Sequence, residues 1–505
     1  MVVRFHLPVV KKSVFTAPFL FSFTYKDKKN TVYMKVRHAM QSLSNLKEIP
    51  NDCIMLSKIL QESRHEGYLV GGCVRDMLLG VSPHDWDMCT NATPEEMITL
   101  FTREGLTINP KGIEYGTVTP VIKGIEYEIT TFRKETGYSD GRHPDEVSYS
   151  KTIAEDLCRR DFTINAMAID MKDNTLTDLF HGSDDLNNGV IRMVGNPQER
   201  ISEDPLRILR ALRFAIKFGF TIDKNTRDAI LSNKHLLATV SKERVTQELQ
   251  KMLTCGKPIR DIFMEYADVI FEILPDLKPC YKFNQNSRYH KHDVYEHIIN
   301  VVDQCDTDSF EIKLAALLHD IGKPFTYTLD EDGFGHFYGH ADISFEMCQK
   351  ILTEELRLTV HQREHILQLV KEHDHDMPIT RKSIRRFVSE FGNEFIADWL
   401  KLKKADISDH LFPQTLKITL PEKYDIMMSE YNSFLAEESR FTVKDLKING
   451  RDLMDIGIPQ GKEIGDTLST LFNMVLEEEI CNEKRVLIDK AKELLDNNRE
   501  DDYEM

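Results

Sequence analysis

The sequence predicts an α/β head, a mixed sheet with helices, followed by all-α domains. Three observations carry this expectation. Tyr68-Leu69-Val70 is a short apolar run that ends in Gly71-Gly72 and leads into a helical segment. Residues 116–122 and 127–133 alternate as a pair of strands. Residues 202–219 then read as an amphipathic helix with a recognisable start and stop, and residues 241–249 open another helix.

Length and composition bound the rest. At 505 residues and 41% hydrophobic content the chain can build three or four cored domains. No apolar run approaches a membrane-spanning length, so no membrane role is expected. Nine scattered cysteines without a CxxC pair argue against disulfides and zinc ribbons and for a reducing, cytoplasmic setting. A formal charge of −17 excludes blanket nucleic-acid binding, so an RNA partner would need a local basic surface.

Taken in order, residues 1–33 read as an N-terminal extension, with Lys11-Lys12, an apolar-aromatic patch and more lysines. No small-residue cleavage site follows the patch, which argues against a signal peptide. Helical spacing appears over 52–62. The stretch 68–87 comes next and organises the chain. A strand that runs into two glycines and a helix suits a triphosphate, because backbone N–H groups can approach it without a side chain between. Arg75 sits one turn into that helix and could reach the same phosphates. Asp85 and Asp87 flank Trp86, and in an extended segment they share a face. Two such carboxylates suit a hard divalent cation, foremost Mg²⁺. A lone DxD is usually a solvated pair of acids, so the reading rests on the combination.

Thr93, Pro94 and Glu96 form a capping box with proline in the first turn. Residues 134–147 read as a polar loop with two glycines and a proline. In the helix expected over 202–219, Ser202 is the cap and Pro205 sits in the first turn. Asp204 and Arg207 are three apart and would share a face, with Arg210 and Arg213 on an adjacent stripe. Further on, His297, His319-Asp320, His340, His373 and Asp406 form an N/O ligand set. Such a set suits one octahedral Mn²⁺, Fe²⁺, Ni²⁺ or Mg²⁺. Glycines at 450, 457, 461 and 465 could present backbone N–H groups to RNA phosphates, ahead of a long helix from Thr467. The acidic end, 497–505, is expected to lack order.

These motifs resemble class II tRNA nucleotidyltransferases (CCA-adding enzymes) and bacterial poly(A) polymerases. The signature here is Gly71-Gly72-Cys73-Val74-Arg75-Asp76, Leu78-Leu79-Gly80 and Asp85-Trp86-Asp87, then Arg159-Arg160-Asp161-Phe162-Thr163-Ile164-Asn165-Ala166 and Glu203-Asp204 with Arg207. The His/Asp set resembles the HD phosphohydrolase superfamily. The resemblance implies a nucleotidyltransferase fold in a head at 34–180, a helical neck at 181–284, an HD domain at 285–410 and a helical, tRNA-binding tail at 411–505. It implies template-independent addition of CCA to tRNA from CTP and ATP, with two Mg²⁺ and release of pyrophosphate. Asp85, Asp87 and Glu128 would be catalytic. Gly72, Arg75, Arg160, Asp161, Asp204, Arg207, Arg210 and Arg213 would bind the nucleotide, with Arg160 on its phosphates and Asp161 and Asn165 holding the sugar and local backbone. Asp204 and Arg207 would choose the base. The 134–147 loop resembles the flexible loop of enzymes that complete CCA. One departure is Tyr115, where the family often has histidine. The HD domain would add phosphatase or cyclic phosphodiesterase activity. Two rivals share these motifs: a poly(A) polymerase, and an HD phosphohydrolase whose head only binds RNA.

Overall fold

The computed structural model describes residues 49–136, 146–378, 380–411, 420–438, 443–476 and 479–501. The extension at 1–33, the middle of the polar loop and the last four residues lie outside the described residues.

The head is a mixed sheet. Its strands are β1 (Tyr68–Val70), β2 (Met88–Thr90), β3 (Thr107–Asn109), β4 (Thr117–Ile122), β5 (Ile125–Glu126) and β6 (Ile129–Thr131). After a separate hairpin, β7 (Arg133–Thr136) with β8 (Glu146–Tyr149), come β9 (Met167–Asp170) and β10 (Leu176–Asp178). The sheet order is β10-β9-β1-β2-β6-β4-β3, with β5 on the β4 edge. β2 and β6 run parallel, whereas β1 is antiparallel to β2 and β9. Every residue of β1 is buried, as expected of a central strand covered on both faces.

Register places the chemistry. The Val70 N–H donates to the Asp87 carbonyl at 3.0 Å, and the Met88 N–H donates to the Glu128 carbonyl at 3.0 Å. The ends of β1, β2 and β6 therefore bring Gly71, Asp87 and Glu128 side by side. The capping box forms as expected: Glu96 N–H donates to Thr93 Oγ1, and Thr93 N–H donates to Glu96 Oε2.

Five expectations are corrected. Asp85 does not lie in a strand; it sits in a bend, and β2 starts only at Met88. The ends of the 134–147 loop are strand, because β7 and β8 pair from Arg133↔Tyr149 to Thr136↔Glu146. The helix expected over 202–219 is broken. One helix ends at Glu203 and the next starts at Arg207. Asp204 between them is extended, φ −144° and ψ 98°, because the ring of Pro205 disfavours the α region for the preceding residue. Finally, residues up to Asp501 belong to a helix, Lys484–Asp501, and the helix expected from Thr467 starts earlier, at Lys462.

Beyond the sheet the described residues are mostly helical. The Arg207–Phe218 helix buries Ile208, Leu209, Ala211, Leu212, Ala215 and Ile216, an apolar face at helical spacing. The Lys242–Leu253 helix packs along it. Further on, the Phe310–Leu318 helix is apolar nearly all round and correspondingly buried. It is enclosed by the Val294–Gln304, Val360–Glu372 and Asn393–Ser408 helices. The tail has its own small core of Leu446, Ile448, Leu453, Ile458, Leu471 and Leu487.

Candidate functional site

The first site lies where β1 gives way to a helix. Gly71 has φ 73°, a region open to glycine at no steric cost. A Cβ there would also lie 2.6 Å from Arg160 Nη1 and 3.9 Å from Asp87 Oδ2. Gly71, Asp87 and Arg160 thus converge. Burial raises the Asp87 pKa, Arg160 opposes the rise, and Glu128 and Asp85 reinforce it. Two acids thus press on Asp87, Glu128 more than Asp85. A divalent cation relieves that repulsion, so the carboxylates fit one. Asp85 lies further out: its side chain is 84% exposed and meets His84, Nδ1 to Oδ1 at 3.0 Å. Glu128 is exposed too.

Arg160 is half-buried, with Nη2 on Asp156 Oδ2 at 3.2 Å. Arg75 is buried. Its Nη1 donates to Asn165 Oδ1 at 2.6 Å, its Nε donates to Asp76, and it lies over the rings of Phe214 and Phe218. Those contacts hold the glycine turn against the Asn165 loop. Asp161 accepts from Arg210 through Nε at 2.9 Å and Nη2 at 2.6 Å. Burial works against its charge, yet Arg210 and Asn165 hold its pKa down at about 2. Arg213 donates to Glu248 at 2.6 Å and stacks on Phe214.

Asp204 and Arg207 share a backbone hydrogen bond, Arg207 N–H to the Asp204 carbonyl at 3.0 Å, but their side chains meet different partners. Arg207 is buried, and its Nη1 donates to Glu203 Oε2 at 2.7 Å and to the Arg200 carbonyl at 2.8 Å. Asp204 Oδ2 accepts from Arg244 Nη2 at 2.8 Å. Sequence reasoning placed Arg244 on the helix beside this one but gave it no role. The contact joins residues forty positions apart, and no local periodicity encodes it.

The second site closes around the buried Phe310–Leu318 helix. Its six expected ligands come together, but not as one octahedron. Asp320 divides them. Asp320 Oδ2 faces His297 Nε2 at 3.4 Å and His319 Nε2 at 3.3 Å. Asp320 Oδ1 faces His340 Nε2 at 3.2 Å and His373 Nε2 at 3.4 Å. Asp406 Oδ1 joins the first group, 3.2 Å from His297 Nε2. One carboxylate with an oxygen toward each side separates the donors into two groups.

The tautomers fit cations. The Nδ1 atoms of His319, His340 and His373 each meet a backbone carbonyl, of Ala316, Phe337 and Val370, at 2.8, 2.8 and 2.6 Å. A carbonyl only accepts, so each Nδ1 carries the hydrogen and each Nε2 offers a lone pair. His340 Nε2 and His373 Nε2 then face each other at 3.0 Å, lone pair to lone pair. A proton on one ring, or a divalent cation drawing on both lone pairs, would relieve that opposition. His297 Nε2 and His319 Nε2 are buried without a hydrogen-bond partner. Asp409, missed by sequence reasoning, accepts from His297 Nδ1 at 2.9 Å. His290, Lys323 and His410 were missed as well. Lys323 Nζ lies 2.6 Å from Asp320 Oδ2, and His410 Nε2 lies 3.4 Å from Asp406 Oδ1. The HD-I-G-K spacing was the one available signal for Lys323.

Among the described residues no helix is long and apolar enough to cross a membrane. Family models match the chain in succession. The poly(A) polymerase head domain matches residues 67–192, the probable RNA-binding region of polymerase A matches 219–279, the HD domain matches 289–411, and a tRNA nucleotidyltransferase domain matches 356–491. A CCA-adding enzyme of Ligilactobacillus salivarius is 33% identical over 455 residues, covering 88% of this chain and 96% of that protein. A CCA-adding enzyme of Levilactobacillus brevis is 31% identical over 88% of this chain and 98% of its own length. Among solved structures, the Bacillus stearothermophilus CCA-adding enzyme in complex with CTP superposes with a TM-score of 0.58 at 25% identity, over 90% of this chain and 98% of that one. The Thermotoga maritima enzyme complexed with tRNA shares the fold, with a TM-score of 0.55 at 22% identity, over 90% of this chain and 98% of that one. By its motifs, its fold and its end-to-end likeness to these relatives, the chain belongs to the family of CCA-adding enzymes.

Proposed function

We propose that this chain adds CCA to the 3′ end of tRNA from CTP and ATP, without a nucleic-acid template, in the cytoplasm. The observation that carries the reading is the meeting of Gly71, Asp87, Glu128 and Arg160 at the end of β1. Magnesium held by Asp85 and Asp87 beside Glu128 would supply charge neutralisation at the attacking 3′-hydroxyl and the departing pyrophosphate. The protein does the rest. Backbone N–H groups after Gly71 and Gly72 receive the triphosphate, and Arg160 faces its negative charge. Arg75 and Asn165 brace the turn, while Arg210 anchors Asp161.

Base choice falls to Asp204 and Arg207. A carboxylate accepts from an exocyclic amine, and a guanidinium donates to a ring nitrogen or carbonyl. Cytosine and adenine offer an amine beside an acceptor; uracil and guanine put a carbonyl where the amine should be. Both side chains already have partners, so selection is an exchange: Asp204 leaves Arg244, and Arg207 leaves Glu203. The head then spans 34–180, the neck 181–284, the HD body 285–410 and the tRNA-binding tail 411–505. The HD body is a phosphohydrolase whose donors, split by Asp320, take two divalent cations of the Mn²⁺, Fe²⁺, Ni²⁺ or Mg²⁺ class.

The test is incubation with tRNA lacking CCA and labelled CTP and ATP. Three defined nucleotides are expected. A long A tract on general RNA would assign a poly(A) polymerase instead. Phosphate release with no incorporation would leave an HD hydrolase with an RNA-binding head.

A further inference from the structure

Two histidines lie beside the HD ligands without a place among them. His290 Nδ1 is buried and has no hydrogen-bond partner. The His290 and His410 rings stand edge to face, their centroids 4.2 Å apart. The backbone holds them there, since Leu411 N–H donates to the Tyr289 carbonyl at 2.6 Å, locking the residues that flank the pair. Candidate ligand atoms of His290, His297 and His410 fall within 4.8 Å of one another.

His297 cannot serve this group and its own. Its Nδ1 is bonded to Asp409, so Nε2 is the one ring nitrogen left that could serve a cation. That atom is 3.4 Å from Asp320 Oδ2 and 3.2 Å from Asp406 Oδ1, inside the first donor group. The oxygen that can replace it is Asp406 Oδ1, which is also 3.4 Å from His410 Nε2. Asp406 Oδ1 therefore reaches both His297 and His410, one shared oxygen where Asp320 turns a separate oxygen to each of its sides. The donors form a row of three groups joined by two carboxylates.

We infer that His290, His410 and Asp406 form a third divalent-cation position in the HD centre. Two imidazoles and a carboxylate suit a borderline ion such as Ni²⁺, Mn²⁺ or Fe²⁺. Three protein ligands leave open positions, and both histidines line the cavity of about 560 Å³ over the centre. A cation there would be open to phosphate oxygens from that cavity. The inference rests on the reading of the HD centre as a metal site.

The experiment loads the full chain with Ni²⁺, removes free metal by desalting and counts bound nickel by mass spectrometry. It compares the parent protein with the double variants His290→Asn/His410→Gln and His340→Asn/His373→Gln. Each variant is expected to lose about one equivalent. An anomalous difference map of parent crystals soaked in Mn²⁺ should show a peak between His290 and His410, and this arm stands even where a variant fails to fold. No such peak, or an unchanged nickel content in a folded His290→Asn/His410→Gln variant, would overturn the third position. If the His340→Asn/His373→Gln variant also keeps all its nickel, the HD metal reading itself fails.

Discussion

The two sites of this chain are built in opposite ways. In the HD centre, imidazoles are buried, oriented by carbonyls behind them, and aimed at one another. In the head, Asp85 reaches into solvent, and the neighbouring arginines are already paired with acids. The contrast follows from what each must hold. A resident metal calls for donors fixed before it arrives. On the proposed reading a nucleotide with its divalent cation enters and leaves at every addition, and Mg²⁺, where it is that cation, is usually held by one or two carboxylates plus the substrate's phosphates. An open acid pair and exchangeable ion pairs suit that traffic.

The largest expected effect breaks the comparison at its weaker-looking end. Asp87→Asn removes a half-buried charge of the head while keeping its shape. Nucleotide incorporation should fall at least about a hundredfold, the scale of losing one electrostatic group from an active site. Binding of tRNA and the nickel content of the HD body should not change. Incorporation within tenfold of the parent would remove the metal role from Asp87. A matched loss of nickel would mean that the two sites are not separate.

A smaller effect probes exchange in the neck. Asp204→Ala deletes the acceptor for the exocyclic amine and the repulsion of the uracil carbonyl. The ratio of CTP to UTP incorporation should drop about ten- to a hundredfold, since a good base contact carries ~1–3 kcal/mol of discrimination. Arg244→Gln is the sharper companion. It breaks the resting contact of Asp204 at 2.8 Å and leaves the selector itself intact. It should shift KM for CTP and ATP more than it shifts base choice. If Asp204→Ala still rejects UTP as the parent does, base choice lies elsewhere.

Much of this was legible in the sequence because it is local. The glycine turn, the capping box at Thr93 and the ligand roster of the HD centre each follow from residues a few positions apart or from a family pattern. What escaped is set by tertiary contact. The chain break at Asp204 needed the steric effect of Pro205 to be weighed above the helical periodicity that runs across it. Arg244, Asp409, His290 and His410 acquire meaning only from partners brought in by other helices. The division of the HD ligands by Asp320 is a matter of which oxygen faces which ring, and spacing along the chain carries no trace of it.

The smallest effect separates the sites by their protons. Burial works against charge on the His297 ring, yet Asp320, Asp406 and Asp409 around it push its pKa up to about 10 in the metal-free protein. The shift is upward from the ordinary histidine value of about 6.5. Stability from the charged ring is therefore fully present below about pH 6.5 and is lost as pH rises through about 10. A cation needs the Nε2 lone pair that the proton occupies. Loading the HD centre at pH 8 should then release about one proton from His297, and apparent affinity should rise about tenfold per pH unit up to about pH 10. Asp409→Asn removes one of the three carboxylates, so the variant should release less and titrate at lower pH. Calorimetry of Ni²⁺ binding in buffers of different ionisation enthalpy counts the protons. Binding at pH 8 with no proton release would mean that His297 is neutral before the metal arrives. The three carboxylates around it would then owe their charge balance to Lys323, which stands 2.6 Å from Asp320.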